Sequence, residues 1–420
     1  MGELNCYLRQ ILAICCLIAA QAEAQIYDTN NVVVQTFAGS GFYGYLDGVG
    51  QLTTFNNPTA IVADSYANLF VWDSRNSMIR KIAPDSSVTT FAGGGNQTTG
   101  VGTNVNLPGL SFGGMTIDRN ATIWAITFPS SVYLYKITSD ATITRISLSL
   151  SYPTGICADS LGNLYISDAV ANKIYRYNTD GMLTVFAGSG NPTYADGNGI
   201  FTAFYLPRNL ATDAADNIYV WDSGNNLIRR IDQNQNVTTF AGKYQINYPI
   251  TDGIGTNASF GSVAGMCLDS FGNLIFTDSA LATGSSVRKI SATTNVVTLA
   301  GSFAQNSYSN GVGNLARFNA ASGVCVSGST IYVADTSNQR IRQISFNPSE
   351  QLVSPANLQL STYPGLQITG TVGRTYRIEA SPDMTNWNTT ATILLTASPY
   401  LWLDQNPVAG SKFYRAFLLP

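Results

Sequence analysis

Residues 206–242 read LPRNLATDAADNIYVWDSGNNLIRRIDQNQNVTTFAG. Four short apolar runs lie in this stretch: Asn209–Thr212, Asn217–Trp221, Leu227–Ile231 and Val237–Ala241. Asp/Asn/Gly clusters separate them, and runs of β-forming residues between such clusters read as strands. The separators are too short for crossover helices, so successive strands are antiparallel. A single four-stranded meander cannot bury both faces, so copies of the unit are expected.

The chain supplies six. The strand that ends in Asp recurs as Asn68–Asp73, Thr122–Thr127, Asn163–Asp168, Asn217–Asp222, Asn273–Asp278 and Ser329–Asp335. A basic strand follows each, at Ile79-Arg-Lys81, Leu134-Tyr-Lys136, Ile174-Tyr-Arg176, Ile228-Arg-Arg230, Val287-Arg-Lys289 and Ile341-Arg-Gln343. Four strands per period of roughly 40–55 residues predict a propeller. The sixth copy has only three strands. An orphan fourth strand, Val32–Ala38, stands at the other end and is expected to complete that blade and cover its edge.

Pro153–Asp159, Gly162–Asp168, Met78–Ile82 and Val237–Gly242 follow the pattern P-x-G-I-x-x-D, G-N-L-Y-V-x-D, R-I-R-K-I and V-T-T-x-A-G. Residues 32–346 thereby resemble the NHL repeat family. The resemblance implies an all-β, six-bladed propeller like those of gluconolactonase-type and TolB-type proteins, a fold that carries lyases, hydrolases and pure binding modules.

The expected organisation is a signal peptide at 1–24, the propeller at 25–346, a linker at 347–356 and a small β-sandwich at 357–420. Arg9, the apolar run Ile11–Ala20 and Ala22-Glu-Ala24 carry the signal-peptide reading. The run is shorter than a membrane span needs, so the mature chain is expected to be secreted, periplasmic or held at the cell surface. The tail, with six expected strands, resembles small β-sandwich tails of secreted Verrucomicrobia proteins through Gly373–Trp387 and Lys412-Phe-Tyr-Arg415. That resemblance implies a bacterial source.

Composition narrows the function. Removing Arg9 from 22 basic residues, and Glu3 and Glu23 from 25 acidic ones, leaves a net charge of −2. Nucleic-acid binders carry a basic face instead. There is no histidine, which excludes Ser-His-Asp catalysis and His-ligated zinc. Cys157, Cys267 and Cys325 occupy one strand position in three repeats, which predicts buried packing and no disulfide.

Long inserts precede four of the repeats and share a code: Asp47-Gly-Val-Gly50, Asp196-Gly-Asn-Gly199, Asp252-Gly-Ile-Gly255 and Asn310-Gly-Val-Gly313. Phe55, Phe204, Phe260 and Phe318 stand eight positions on. The second repeat has only Thr99-Gly-Val-Gly102, and the third has no insert. Strand direction places these loops on the same face as Asp73, Asp168, Asp222, Asp278 and Asp335. In one reading these Asp close turns, with Asp-Gly as a turn dipeptide and the Phe as a plug for the loop. In the other, the strand-ending Asp hold a metal, with Ca²⁺ the ion that takes oxygen ligands alone. Six-bladed lactonases have a central metal, but they use Glu and Asn on inner strands. Here the inner strands carry Asp64, Asp118, Asp159, Asp213 and Asp269 at their far ends, where they fit turns. No cofactor is expected beyond that cation.

Trp72 and Trp221 are expected to pack between blades, and the third-strand arginines to pair with nearby Asp. The insert tyrosines Tyr43, Tyr45, Tyr194, Tyr244, Tyr248 and Tyr308 are the expected contact residues for a ligand. The expectation is a monomeric, non-catalytic binding or scaffold module for a protein, peptide or glycan. A metal-dependent hydrolase or lactonase at the central channel and a structural cell-surface protein are the alternatives.

Overall fold

The computed structural model describes residues 32–107, 114–127, 132–244, 249–280 and 283–346. In the C-terminal part it describes 358–360, 366–368, 371, 373–381, 385–396, 400–402 and 413–419. The expected signal peptide, the expected linker and Tyr248 lie outside the described residues. The described residues fall into two compact units, within Ile26–Phe346 and within Asn347–Pro420. Among them no helix is long and apolar enough to cross a membrane.

The first unit is a β-propeller of six antiparallel sheets, called here blades one to six. The inner strands are Pro58–Ala63, Met115–Ile117, Pro153–Ala158, Pro207–Thr212, Ser262–Leu268 and Ala321–Ser327. Each is followed by a second strand, a third and an outer one. In blade four these are Ile218–Asp222, Leu227–Ile231 and Asn236–Ala241. Val, Ile and aromatic residues fill them because both faces of a blade are covered by its neighbours.

Six apolar cores lie between consecutive blades, not within them. Trp72 packs with Met115, Ile123 and Tyr135 between blades one and two. Trp221 packs with Phe260, Val263 and Phe276 between blades four and five. The sixth core joins Cys325, Ala334 and Ile341 of blade six to Ile61, Leu69 and Val71 of blade one, and so closes the ring. Inner-strand hydrogen bonds do the same: Ser322 Oγ donates to the Thr59 carbonyl and Thr336 Oγ1 to that of Pro58. Val32–Ala38 forms the outer strand of blade six, with Val32 opposite Phe346 and Val34 opposite Ile344.

Blades abut most closely at Gly114, Gly155, Gly265 and Gly323. A Cβ on Gly155 would stand 2.4 Å from the Arg208 carbonyl oxygen, and one on Gly323 would stand 2.8 Å from the Ala60 Cα. The repeats therefore need glycine there for close backbone approach.

The inserts add a fifth, two-residue strand to five blades. Gly48–Val49, Gly100–Val101, Gly197–Asn198, Gly253–Ile254 and Gly311–Val312 each pair with an outer strand. Blade three, which has no insert, keeps four strands. The second glycine of each code takes a left-handed φ between 49° and 59°, a conformation costly for residues with a side chain.

The second unit is a small β-sandwich. One sheet orders Leu358–Leu360, Leu366–Ile368 and Tyr400–Trp402; the other orders Asn388–Leu394, Thr375–Ser381 and Phe413–Leu418. Ile368 of the first sheet packs against Tyr376 and Ile378 of the second. Glu379 pairs with Arg377 and Arg415 on the second sheet.

Candidate functional site

The insert-bearing face is organised by a buried arginine on the third strand of four blades. Arg80, Arg229, Arg288 and Arg342 have no exposed surface. In blade four, Arg229 Nη1 lies 3.0 Å from Asp222 Oδ2 and Nη2 lies 2.5 Å from Asp196 Oδ1. In blade five, Arg288 joins Asp278 at 2.7 Å to Asp252 at 2.8 Å. In blade one, Arg80 joins Asp73 at 3.1 Å to Asp47 at 2.6 Å. In blade six, Arg342 reaches Asp335 at 2.7 Å and the Asn310 amide oxygen at 2.9 Å. Each guanidinium also donates to insert carbonyls, as Arg288 does to Ser259 and Thr251. The planar fork, with its several fixed donors, suits this multiple use.

The code residues close the same clamp. Phe55, Phe204, Phe260 and Phe318 lie under the guanidinium, with Cζ between 5.1 and 5.4 Å from the ring centres. That geometry adds a cation–π attraction to the plug. The Thr298 amide and hydroxyl, on an outer strand, donate to Asp252, as those of Thr90 donate to Asp47. Asn76, Asn225 and Asn338 donate both to the strand-ending Asp and to an insert carbonyl.

The insert Asp therefore do not cap their own turns, as the Asp-Gly reading had it. They face a third-strand arginine that the loop crosses. Asp73, Asp222, Asp278 and Asp335 are likewise held by arginine. Asp168 instead accepts the Ser151, Tyr152 and Ala171 amides. Each of the five sits in its own blade. Among the described residues no three Asp, Glu or Cys side chains converge as a metal-ligand set.

Burial pushes the Asp73 and Asp222 carboxyls up to about 6, against the pull of amide donors and arginine. It raises Asp278 and Asp335 in the same direction. The far-end carboxylates are turn closers, as expected. Asp159 Oδ1, for example, accepts the Leu161 and Asn163 amides, and Asp213 Oδ1 those of Ala215 and Asn217. The three cysteines are free thiols, and burial pushes that of Cys157 up to about 12.

The tyrosines divide into two groups. Tyr43 is 71% exposed, Tyr45 66% and Tyr244 56%. Tyr194 and Tyr308 are engaged. Tyr194 stacks 4.8 Å from Arg229 and meets Thr239 through its hydroxyl. Tyr308 lies between Arg340 at 3.9 Å and Arg342 at 4.9 Å. Tyr194 and Tyr244 bring the fourth and fifth inserts together, with ring centres 5.3 Å apart. Phe42, 76% exposed beside Tyr43, was not among the expected residues; its place in an insert was the available signal.

The inner strands enclose a central cavity of about 1050 Å³. Its lining includes Thr59, Arg75 and Arg208 at the insert end, and Ile117, Leu268 and Val326 at the other. The class these features define is a β-propeller whose loops are clamped to one face. Residues 140–345 match the model of the Teneurin NHL domain family. An Arabidopsis thaliana protein, Suppressor of Quenching 1, chloroplastic, is 25% identical over 222 residues. The match takes in 52% of this chain but only 18% of that relative's length. A Bacteroides thetaiotaomicron protein of unknown function superposes with a TM-score of 0.60 at 21% identity, covering 75% of this chain and 76% of its own. Auxiliary nutrient binding proteins from B. thetaiotaomicron and Bacteroides ovatus superpose at TM-scores of 0.58 and 0.57. They are 17% and 18% identical, again over 75% of this chain and over 76% and 77% of theirs. At these identities the likeness carries the fold.

Proposed function

We propose that this chain is an exported, non-catalytic binding module whose ligand, a protein, peptide or glycan, docks on the insert face. The observation that carries the reading is the pairing of exposed aromatic residues with rigid support. Phe42, Tyr43 and Tyr45 stand in solvent on the loop held by Arg80, and Tyr244 on the loop held by Arg288. Tyrosine on a fixed backbone gives contact area with little loss of entropy on binding.

A catalytic reading needs a free carboxylate pair or a metal, and the strand-ending carboxylates of this face are already held by arginine or backbone amides. The binding role in the names of the two Bacteroides auxiliary nutrient binding proteins accords with this proposal. Export rests on residues 1–24 and monomeric action on the sequence reading. In the same proposal, residues 347–356 are the linker and the sandwich is a spacer or attachment module.

The test is a glycan and peptide array probed with the wild type and with Tyr43→Ala/Tyr45→Ala/Tyr244→Ala. Loss of the wild-type hits in the triple variant is expected. Hits that survive it would move the site elsewhere. Metal-dependent turnover of a lactone or ester, abolished by Asp222→Ala, would overturn the non-catalytic reading.

A further inference from the structure

The repeats show which residues the fold requires at the channel, and two positions depart from them. Just after the first proline of an inner strand, blades one and three have Thr59 and Thr154, and blade six has Ser322 at the equivalent place. Blade four has Arg208. Two residues after the strand-ending Asp, blades three, four and six have Val170, Gly224 and Ser337. Blade one has Arg75. Blades one and four stand three places apart in a ring of six, so the two arginines flank the mouth from opposite sides. Both line the cavity and both are exposed. Neither has an acidic partner among the described residues. The described lining contains no other charged side chain and no aromatic one.

Further down, the last residues of five inner strands and the next-to-last of the sixth form a half-buried ring of Ala63, Ile117, Ala158, Thr212, Leu268 and Val326. Beyond it, the opposite mouth carries Asp118, Asp159, Asp213 and Asp269, with Arg119 as its one cation among the described lining residues. The channel thus runs from a cationic mouth, past an aliphatic wall, to an acidic one.

We propose that this channel binds an amphiphilic organic anion, its carboxylate held between Arg208 and Arg75 and its aliphatic body lying along the wall. The proposal rests on the reading of this face as the binding face. Arginine forks match carboxylates in two-point geometry. The lining mixes aliphatic residues such as Ile117, Leu210 and Leu268 with hydroxyl and amide groups such as Thr116, Asn209 and Ser262, and the volume is at the upper end of small-molecule sites. The acidic mouth repels the same head group and so fixes which end enters first. Among the described lining residues there is no aromatic ring to stack a sugar, which favours a flexible aliphatic body.

The experiment is isothermal titration of the full chain with sodium decanoate below its micelle concentration, and with decanol at the same concentrations. Saturable binding of one decanoate is expected. Arg208→Gln and Arg75→Gln should each weaken it about tenfold or more, the range for a lost charge-assisted hydrogen bond. Decanol should bind more weakly and be indifferent to both changes. Absence of saturable binding, or an unchanged affinity in the Arg75→Gln/Arg208→Gln double variant, overturns the proposal. The wild-type chain, taken through both assays, separates the two readings. Array hits without decanoate binding leave the insert-loop function standing and sink the channel ligand. Arginine-dependent decanoate binding with an empty array does the reverse.

Discussion

Blades one, four, five and six carry the arginine clamp; blades two and three do not, and the contrast explains the insert code. In blade three, Tyr175 replaces the arginine and the insert is missing. The short link then turns its own Ser151 and Tyr152 amides onto Asp168. In blade two, Thr127 replaces the Asp, Tyr135 the Arg and Thr99 the insert Asp. Yet Gly100–Val101 still pairs with the outer strand, and both glycines keep positive φ. The glycines therefore make the loop's shape, and the Asp–Arg–Asp bridge pins it to the blade. A buried carboxylate needs a counter-charge or several N–H donors. In the clamped blades one entry amide, of Asn56, Tyr205, Gly261 or Asn319, also reaches the carboxylate; arginine completes the set where the loop is long, and the further amides of Tyr152 and Ala171 complete it where the loop is short.

The contrast breaks most sharply at the arginine itself. Arg229→Met strands the buried Asp222 and should cost about 3–5 kcal/mol, while Tyr175→Phe at the equivalent place in blade three should cost within about 1 kcal/mol. Urea unfolding followed by circular dichroism measures both. Equal losses would mean that the clamp contributes no more than ordinary packing.

A smaller effect is expected at the insert. Asp196 is half exposed, so solvent screens its pair, and Asp196→Ala should cost about 1 kcal/mol or less. Thr99→Ala should change stability by no more than about 0.5 kcal/mol. Proteolysis should distinguish them further, with faster cleavage of the fourth insert in Asp196→Ala and no change at the second in Thr99→Ala. Unaltered cleavage of the fourth insert would show that the glycines alone fix the loop.

The smallest effect is on pH. Folding raises the Asp73 and Asp222 pKa values to about 6 from an ordinary 3.8. The folded state therefore binds more protons than the unfolded one between those values. Their contribution to stability is fully present below about pH 4 and is lost as pH rises through 6. The chain has no histidine to add a titration of its own. The propeller's thermal midpoint should thus hold or rise slightly from pH 7.5 to 5. A fall over that interval would mean that arginine lowers these carboxyls more than burial raises them.

Much of the fold was legible in the residues. The Asp-ended strand, its basic successor and the orphan Val32–Ala38 each imply a place in a repeated sheet, because strand pattern and turn chemistry act over a few neighbours. The six tail strands were readable for the same reason. The site was less legible. Tyr194 and Tyr308 keep an exposed edge, as expected of contact residues, but folding also lays them over Arg229 and Arg342, which the spacing did not show. Asp47, Asp196 and Asp252 looked like turn residues, since Asp-Gly reads as a turn wherever it occurs.

The sequence by itself determined the repeat, the strand order, the burial of Cys157 and Cys325 and the exclusion of histidine chemistry. All of these follow from composition or from spacing within one blade. Only the tertiary structure decided which carboxylate meets which arginine, since Arg80 and Asp47 lie 33 residues apart. They meet because a loop leaving one blade folds back over the third strand of the next. It also decided that Arg75 and Arg208 share one mouth. Closing the ring sets blade one opposite blade four, a relation that no local pattern along the chain encodes.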